Sequence, residues 1–347
     1  MNKISWQSPS NIALIKYWGK TRDQIPTNPS ISFTLEKSYT ETMLSYEEIG
    51  KKEEITVNFL FDGEPKPDFE KRLVNYLNRV LEYIPTMQGL HLKIESRNSF
   101  PHSSGIASSA SSYSALALCL VSMEEKLMGT PFTPDAFYQK ASLLARLGSG
   151  SAARSVYGGC NLWGKTSGIA ESSNLYSVPL NHKVHPDFLS YKDAILLVSK
   201  STKKVSSSVG HQLMDKHPFA EIKFKESYKN TEKMLSILKT GDAIEFAHLV
   251  EAEALSLHAM MMTSNPAYLL MEPHTLAIIR KIGDFRHDTG IPACFTLDAG
   301  ANVHLLYPAY ATEQIHSFIK KTLMPYCFNY QWIDDQFGGE PMQPLEK

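Results

Sequence analysis

The stretch PSNIALIKYWGKTRD, residues Pro9–Asp23, puts a short apolar run directly before a group of cations and aromatic rings. The run Ile12–Ile15 predicts a buried strand, whereas the residues after it do not continue a strand pattern. The cations are Lys16, Lys20 and Arg22, and the aromatic residues are Tyr17 and Trp18. An apolar segment that delivers lysines at its end can line a pocket, so we expect an anionic ligand near this segment.

The composition of the whole chain limits what that ligand can be. The 347 residues are 43% hydrophobic, which is enough for two ordinary domains with substantial cores. The 35 basic and 36 acidic residues leave a net charge of −1, which argues against a general nucleic-acid binder. Four widely spaced cysteines without a CxxC pair favour a reduced, cytoplasmic protein. The histidines show no HxH or HExxH spacing, so no protein-ligated metal is predicted.

Helix and strand signals predict an α+β protein, because they do not alternate regularly enough for a doubly wound sheet. A shift in composition near Asp187–Lys192 predicts a boundary between domains 1–188 and 189–347. Strands are predicted at Leu90–Glu95, Tyr157–Trp163, Ala194–Val198, Phe295–Asp298 and Val303–Tyr307. Helices are predicted from Gly105 to about Met128, from the N-cap Thr133, over Phe219–Met262 with a break at Gly241–Asp242, over Pro273–Thr289 and over Thr312–Leu323. The serine-rich stretch Ile106–Met123 is too polar and too short for a convincing membrane span.

The segment PHSSGIASSASSYSALAL, Pro101–Leu118, follows a predicted strand and opens a predicted helix. A helix N-terminus presents free N–H groups and partial positive charge, and small residues let a phosphate approach the backbone closely. The segment lacks the lysine of a GxxxxGK[ST] loop and does not contain GxGxxG. A phosphate cradle and a plain Ser/Ala-rich helix packed on a sheet are both compatible with it.

Two further segments combine glycine, serine and cations. In LGSGSAARSVYGG, Leu147–Gly159, Arg154 follows Ser151 by three residues, so one helical turn would bring both to one face. The planar fork of arginine suits a carboxylate or a phosphate, although a turn with a solvated arginine also fits. In STKKVSSSVGHQLM, Ser201–Met214, lysines and serines before a glycine could hold a diphosphate, and a surface loop is the alternative.

Asp298 is the one carboxylate in the stretch CFTLDAGANVHLLYP, Cys294–Pro308. It stands where a predicted buried strand meets a glycine turn. An acid there must be hydrogen-bonded, paired with a cation or shifted in pKa. A catalytic carboxylate and an Asx-turn that caps local N–H groups both fit this position.

Taken in order, these segments resemble the signatures of the diphosphomevalonate decarboxylase family, within the GHMP kinase superfamily. The matching motifs are NIALIKYWGK, PTNPSISFTL, GIASSASSYSALA, GSGSAARSVYGG and FTLDAGAN, and the resemblance extends over nearly the whole chain. It implies a GHMP kinase fold, with an N-terminal domain like ribosomal protein S5 domain 2, a C-terminal ferredoxin-like domain and an active site between them. It also implies a homodimer without nucleic-acid or membrane partners.

The activity implied by the resemblance is ATP-dependent decarboxylation of (R)-5-diphosphomevalonate to isopentenyl diphosphate. ATP would phosphorylate the tertiary 3-hydroxyl, and phosphate would then leave together with CO₂. Mg²⁺ would be held mainly through the ATP phosphates. Related alternatives are a mevalonate 3-kinase and a decarboxylase that acts on the monophosphate. A nucleotide-binding regulatory protein is a third, but it should show a degraded catalytic set, whereas the set here is intact.

Carried onto the matching positions, the resemblance implies a catalytic set of Asp298, Lys16 and Arg154. Asp298 would orient the 3-hydroxyl and accept its proton or stabilise the developing cation, and the sequence does not choose between these roles. Lys16 would keep Asp298 ionised, and Arg154 would clamp the substrate carboxylate. Substrate contacts are implied at Tyr17, Trp18, Gly19, Lys20, Arg72, Ser149, Gly150, Ser151, Ala152, Ala153, Ser207 and Ser208. Nucleotide contacts are implied at Asn11, Ser103, Ser104, Gly105, Ala107, Ser108, Ser109 and Ser111.

The chain departs from the family pattern at a few positions near these motifs. They are Pro29, His102, Ala153 and Ala301. Ala301 stands where proline is usual, which is expected to loosen the turn after Asp298. None of the departures removes a residue to which chemistry is assigned.

Overall fold

The computed structural model describes residues 2–49, 55–101, 106–199 and 207–344. Two β-sheets, each packed against helices, are formed by the first and the second part of these residues. The predicted α+β class is confirmed. The predicted domain boundary remains a prediction, although the strands of the first sheet end at Pro179 and those of the second begin at Lys192.

The first sheet has seven strands in the described residues and is organised around one long strand, β2. The strands are β1 (Asn2–Ala13), β2 (Ser30–Glu48), β3 (Thr56–Phe61), β4 (Glu64–Pro65), β5 (Leu90–Asn98), β6 (Cys160–Trp163) and β7 (Ser177–Pro179). β2 pairs with β1 along one side, and successive parts of its other side pair with β6 and β5. All pairs are antiparallel except β3 with β5. The end of β1 is therefore held beside the start of β2.

Three helices pack on the first sheet, namely α1 (Pro67–Val80), α2 (Ser108–Met128) and α3 (Pro134–Gly148). α2 is buried on nearly all sides over Ala115–Met123, which explains its serine- and alanine-rich sequence. The predicted start of α3 is confirmed, because the Thr133 hydroxyl accepts a hydrogen bond from the N–H of Ala136. A 3₁₀ helix, Gly150–Ser155, follows α3 and carries the last six residues of the GSGSAARS motif.

The second sheet is antiparallel throughout, in the order β11, β8, β10, β9. Its strands are β8 (Lys192–Leu196), β9 (Cys294–Thr296), β10 (Val303–Tyr307) and β11 (Trp332–Gln336). The helices of this part are α4 (Pro186–Leu189), α5 (Ser207–Gln212), α6 (Ala220–Thr240), α7 (Ala243–Met262), α8 (Pro273–Thr289) and α9 (Thr312–Phe318). The predicted break between α6 and α7 is confirmed, with left-handed Gly241 ending α6 and Asp242 capping α7.

Several predicted elements have different bounds in the structure. The strand predicted over Tyr157–Trp163 begins at Cys160, and the strand predicted over Ala194–Val198 is β8, Lys192–Leu196. β1 ends at Ala13, because the N–H groups of Leu14 and Ile15 both donate to the carbonyl of Ile31 and the regular ladder stops. β9 ends at Thr296, which leaves Asp298 in the following loop. The helix predicted to reach Leu323 is α-helical to Phe318 and continues as a π-helical turn.

One hydrophobic cluster contains residues of both sheets, and this junction positions the candidate site. Phe33 of β2 stacks on Phe337 at 4.3 Å between ring centroids, and Ile195 and Leu306 of the second sheet belong to the same cluster. The chain after β11 also returns to the first sheet, where Met342 pairs with Gln7. The loops that end β1 and β9 therefore meet across a packed interface.

Candidate active site

Lys16 and Asp298, which are separated by most of the sequence, form an ion pair at this junction. The Lys16 Nζ atom donates a hydrogen bond of 3.1 Å to Asp298 Oδ1. The Lys16 side chain is 2% exposed and that of Asp298 is 27% exposed. Burial lowers the pKa of Lys16, and the Asp298 carboxylate opposes that shift. The pair therefore has a closed side at the amine and an open side at the carboxylate.

Arg154 is a second buried cation in the same site. Its Nε atom donates to the hydroxyl of Ser32 at 3.1 Å, and its Nη2 atom donates to Asn11 Oδ1 at 3.4 Å. The guanidinium also lies 5.9 Å from the ring centroid of Trp163. Burial lowers the pKa of Arg154 to about 10, and the charge of Asp298 acts against this. Its buried Nη1 atom has no hydrogen-bond partner among the residues that the structure describes.

Tyr17 contributes a second buried polar atom without a partner in the described part of the chain, its hydroxyl. The ring packs edge-on against Trp163 at 4.8 Å and tilts over His211 at 4.3 Å. Gly150 makes this packing possible, because a Cβ atom there would lie 2.8 Å from both the Tyr17 hydroxyl and Trp163 Cη2. Buried polar atoms are almost always hydrogen-bonded, so Tyr17 and Arg154 provide two donors for a bound ligand.

His211 of α5 fixes the segment between Tyr17 and Lys20. The N–H of Gly19 donates to His211 Nδ1 at 2.9 Å, and the imidazole packs against Trp18 at 4.6 Å. Burial, together with the charge of Lys20, lowers the pKa of His211 to about 3, so the ring is neutral at physiological pH. Trp18 itself is almost completely buried in a core cluster, so it supports the site from behind.

Lys20 lies at the more open end of the same segment. Its Nζ atom donates to Gln24 Oε1 at 2.7 Å. Burial lowers its pKa, and so does the positive charge of Arg79 on α1. The structure therefore adds Arg79 to the cations near the predicted diphosphate contacts.

Three serine hydroxyls join the two Ser/Gly-rich segments that the sequence presented separately. Ser109 at the start of α2 lies 3.2 Å from Ser149, and Ser149 lies 3.2 Å from Ser151. Ser108 and Ser109 also line a cavity of about 280 Å³ between α1, α2 and the first sheet. Other residues that line it are Phe59, Phe61, Phe69, Arg72, Asn98, Ser112 and Tyr113. The structure thus groups Arg72 with the serines assigned to the nucleotide.

Several predicted contacts cannot be made by the side chain in this conformation. Ser111 is fully buried, and its hydroxyl lies 2.6 Å from the hydroxyl of Thr40, which favours a structural role over nucleotide binding. Ala152 and Ala153 are fully buried, so a ligand could meet only their backbone. Asn11 is used by Arg154 and by the 3₁₀ helix, because its Nδ2 atom donates to the Ser151 carbonyl and the Ser155 hydroxyl.

The remaining predictions depend on backbone position or fall outside the described residues. Ala107 occupies the N-cap position of α2, and Ser207 and Ser208 begin α5. Ser103, Ser104 and Gly105 lie outside the described residues, as does the departure at His102. Their assignment to the nucleotide stays a prediction.

Sequence reasoning missed four residues that the structure places in or behind the site. They are Arg79, Trp163, His211 and Glu253. His211 stands directly after the glycine of the predicted diphosphate loop, which is a weak signal. The others carry no local signal, because only tertiary packing brings them to Lys16, Tyr17 and Lys20. Within the described ranges, no group of three or more His, Cys, Asp or Glu side chains could hold a metal ion.

Two family models match the two parts of the chain. Residues 8–174 match the model of the diphosphomevalonate decarboxylase-like N-terminal domain, and residues 194–343 match that of the mevalonate 5-diphosphate decarboxylase C-terminal domain. The chain belongs to the diphosphomevalonate decarboxylase family. It is 33% identical to the diphosphomevalonate decarboxylase of Saccharomyces cerevisiae over 334 residues, which cover 90% of this chain and 80% of the yeast protein.

Solved structures of the family have the same overall fold. The mevalonate diphosphate decarboxylase from Staphylococcus aureus matches with a TM-score of 0.84 and 28% identity, covering 98% of this chain and 97% of that one. A structure of MDDEF in complex with MVAPP, AMPPCP and magnesium matches with a TM-score of 0.80 and 27% identity, covering 99% and 100% of the two chains. The expected GHMP kinase fold is therefore confirmed.

Proposed function

We infer that this chain catalyses the ATP-dependent decarboxylation of (R)-5-diphosphomevalonate to isopentenyl diphosphate, ADP, phosphate and CO₂. Its family membership and the similar structure that holds MVAPP, AMPPCP and magnesium support this activity. The observation that carries it on this chain is the Lys16–Asp298 ion pair with Arg154 beside it. A kinase needs only to position a hydroxyl, whereas a decarboxylase must also hold the substrate carboxylate, and Arg154 supplies a second buried cation for that purpose.

We assign the chemistry at C3 of the substrate to Asp298 and Lys16. A tertiary hydroxyl is a poor leaving group, and transfer of the γ-phosphoryl group of ATP turns it into a good one. Asp298 orients that hydroxyl and can take its proton, while Lys16 keeps the carboxylate ionised. When the C3–O bond breaks, its electron pair leaves with phosphate. The carboxylate C–C bond then breaks, its electron pair forms the new double bond, and CO₂ departs.

Arg154 and Tyr17 are assigned to the substrate's anionic groups. Both side chains have a buried donor without a partner in the described residues, and a carboxylate or phosphate oxygen would satisfy each of them. Burial makes such bonds stronger than they would be in water, because few water molecules compete for the donors. Lys20, with Arg79 nearby, is assigned to the diphosphate end.

The cavity between α1 and α2 is the proposed site of ATP. Its phenylalanine and tyrosine rings suit a nucleobase, and Ser108 and Ser109 lead from it towards Ser149. The donor set fits Mg²⁺ only in part: serine hydroxyls are oxygen ligands, but no acidic cluster was found in the described residues. When bound, Mg²⁺ would neutralise phosphate charge. We assign the holding of the ion mainly to the nucleotide phosphates.

A coupled product assay tests the function directly. Purified protein is mixed with Mg-ATP and diphosphomevalonate, and CO₂ and ADP are measured. We expect one CO₂ for each ADP. ADP without CO₂ would identify a 3-kinase, and turnover of the monophosphate but not the diphosphate would overturn the substrate assignment.

We also propose the homodimer that the family resemblance implies and the cytoplasmic location that the cysteine pattern favours. No helix in the described residues has the length and apolar character needed to cross a membrane. Size-exclusion chromatography with light scattering should give twice the monomer mass of 38.9 kDa. A monomer mass at micromolar concentration would contradict the dimer.

A further inference from the structure

Neither member of the Lys16–Asp298 pair lies in a helix or a strand. Lys16 follows the end of β1, and Asp298 follows the end of β9. Loops position side chains less rigidly than helices and strands do. An acid that acts on a hydroxyl must nevertheless be placed within a fraction of an ångström of its working position. Something outside the two loops must therefore set the distance between these residues.

Glu253 of α7 holds the backbone of Lys16. Its Oε2 atom accepts a hydrogen bond of 3.0 Å from the Lys16 N–H. Its Oε1 atom accepts from Lys223 Nζ at 2.8 Å and from Asn230 Nδ2 at 2.7 Å, both on α6. Glu253 is fully buried, and Lys223 is 3% exposed. A buried carboxylate that accepts from three donors has one favourable orientation, so Glu253 holds the Lys16 N–H in a fixed position.

His258, five residues further along α7, holds the backbone of Asp298. Its Nε2 atom lies 3.2 Å from the Asp298 carbonyl oxygen, which can only accept, so Nε2 carries the proton. Burial lowers the pKa of His258 to about 4, and the ring is therefore neutral at pH 7. A neutral ring donates the hydrogen bond without adding a third positive charge beside Lys16.

One helix thus contacts both loops of the ion pair. Residues five positions apart in an α-helix are separated by about 7.5 Å along the axis and by about 140° around it. Glu253 and His258 therefore point to different sides of α7, and both are buried. The helix has 20 residues and is packed against α6 and β9.

We propose that α7 is the frame that sets the geometry of the Lys16–Asp298 pair, with Glu253 and His258 as positioning residues for the two backbones. The proposal rests on the proposed function for its effect on turnover. Its effect on the environment of Lys16 is independent of that function. Neither residue touches the reacting atoms, so the loss of either should lower kcat and leave KM for both substrates nearly unchanged.

The Glu253 contact is tested with two matched double variants. In Glu253→Gln/Lys223→Met the charge pair is removed, but the amide oxygen can still accept from the Lys16 N–H. In Glu253→Met/Lys223→Met the acceptor is lost and the volume is similar. We expect kcat of the first variant to stay within about threefold of wild type, and kcat of the second to fall about 100-fold, as for a misplacement of about 1 Å. Equal kcat in both variants would contradict the role given to Glu253.

The His258 contact has its own matched pair, which keeps the test valid if a Glu253 variant fails to fold. Glutamine at position 258 can keep a donor near Nε2, whereas methionine cannot. We expect His258→Gln to retain most of kcat and His258→Met to lose about 30-fold, with KM values within threefold of wild type. Thermal unfolding identifies any variant whose loss of activity reflects loss of fold.

Chemical labelling separates failure of this proposal from failure of the proposed function. Each folded protein is treated with sulfosuccinimidyl acetate, and acetylation of Lys16 is followed by peptide mass spectrometry. The exposed Lys225 is the internal reference. The Glu253 carboxylate raises the pKa of Lys16, so the two Glu253 variants, which both lack that charge, are compared with each other. We expect the Lys16 rate to be at least about fivefold higher in Glu253→Met/Lys223→Met than in Glu253→Gln/Lys223→Met. It should also be at least about fivefold higher in His258→Met than in His258→Gln, which should match wild type. If labelling gave these differences but the wild-type protein formed no product, only the proposed function would be rejected. Equal Lys16 rates in all variants would instead reject the proposal that α7 sets the geometry of the Lys16–Asp298 pair.

Discussion

The Lys16–Asp298 pair and the Asp193–His304 pair place an acid and a base at similar distances in very different surroundings. Lys16 and Asp298 are 3.1 Å apart, lie on two loops and leave the carboxylate partly exposed. Asp193 of β8 and His304 of β10 are 2.7 Å apart and lie inside the second sheet, with exposures of 0% and 4%. The two pairs are close enough for their charges to interact.

Under the proposed function, access to solvent and substrate, and not the presence of a buried ion pair, distinguishes the reactive pair from the structural one. Burial raises the pKa of Asp193. Burial alone would lower the pKa of His304, but the Asp193 carboxylate outweighs it and raises that pKa instead. Asp193 and His304, which we call the closed pair, thus interact mainly with each other and are not accessible to a substrate. The partly exposed carboxylate of Asp298 can instead meet a substrate hydroxyl.

Replacement of Asp298 should have the largest effect on turnover. Asp298→Asn keeps the shape and removes the charge, so it removes both the proton acceptor and the counter-ion of Lys16. We expect CO₂ formation to fall at least about 10³-fold, with ATP affinity within about threefold of wild type, as measured by equilibrium fluorescence titration. Turnover within tenfold of wild type would contradict the role given to Asp298.

Removal of His304 should act on stability and not on chemistry. His304→Leu leaves the buried Asp193 without its cation, and we expect the free energy of unfolding to fall by about 3 kcal/mol in urea denaturation. The double variant Asp193→Leu/His304→Leu replaces the pair by apolar side chains and should recover most of that loss. In both variants, kcat per folded molecule should stay within about threefold. A large drop in kcat with unchanged stability would show that the closed pair takes part in the reaction.

The sequence predicted elements whose signals are local, and it left open what only tertiary contacts decide. The bounds of α8 and the break at Gly241 agree with the prediction, because a proline start and a left-handed glycine stop act on the neighbouring backbone. The meeting of Lys16 with Asp298 came from the family resemblance, since no local pattern links residues so far apart. His211 and Glu253 were missed for the same reason: their partners are backbone N–H groups of a distant loop.

A single methyl group added at position 150 should disturb the packing of Tyr17 and have an intermediate effect on turnover. Gly150→Ala would place a Cβ atom 2.8 Å from the Tyr17 hydroxyl and from the Trp163 ring, so one of the two rings must move. We expect kcat/KM for diphosphomevalonate to fall about 100-fold in steady-state assays. The control is Gly283→Ala in α8, where a Cβ atom meets nothing within 4 Å, and its kcat/KM should be unchanged. Equal values for the two variants would show that the packing of Tyr17 does not matter to the site.

The smallest effect that we expect is an opposite pH response of the histidines that serve the two pairs. Burial lowers the pKa of His258 to about 4, below the value of about 6.5 in the unfolded chain. Stability from neutral His258 is therefore complete above pH 6.5 and is lost as the pH falls from 6.5 towards 4. The pKa of His304 is raised, so its contribution is complete below pH 6.5 and is lost as the pH rises through the folded-state pKa.

Urea denaturation at pH 5.0, 6.5 and 8.0 separates the two contributions. Between pH 6.5 and 5.0, His258→Gln should lose up to about 2 kcal/mol less stability than wild type, because the unfolded chain no longer gains that proton. Between pH 6.5 and 8.0, His304→Gln should lose less than wild type. If His258→Gln instead changed the loss of stability between pH 6.5 and 8.0, the Lys16–Asp298 and Asp193–His304 pairs would be coupled through their charges. The two histidines would then not titrate independently.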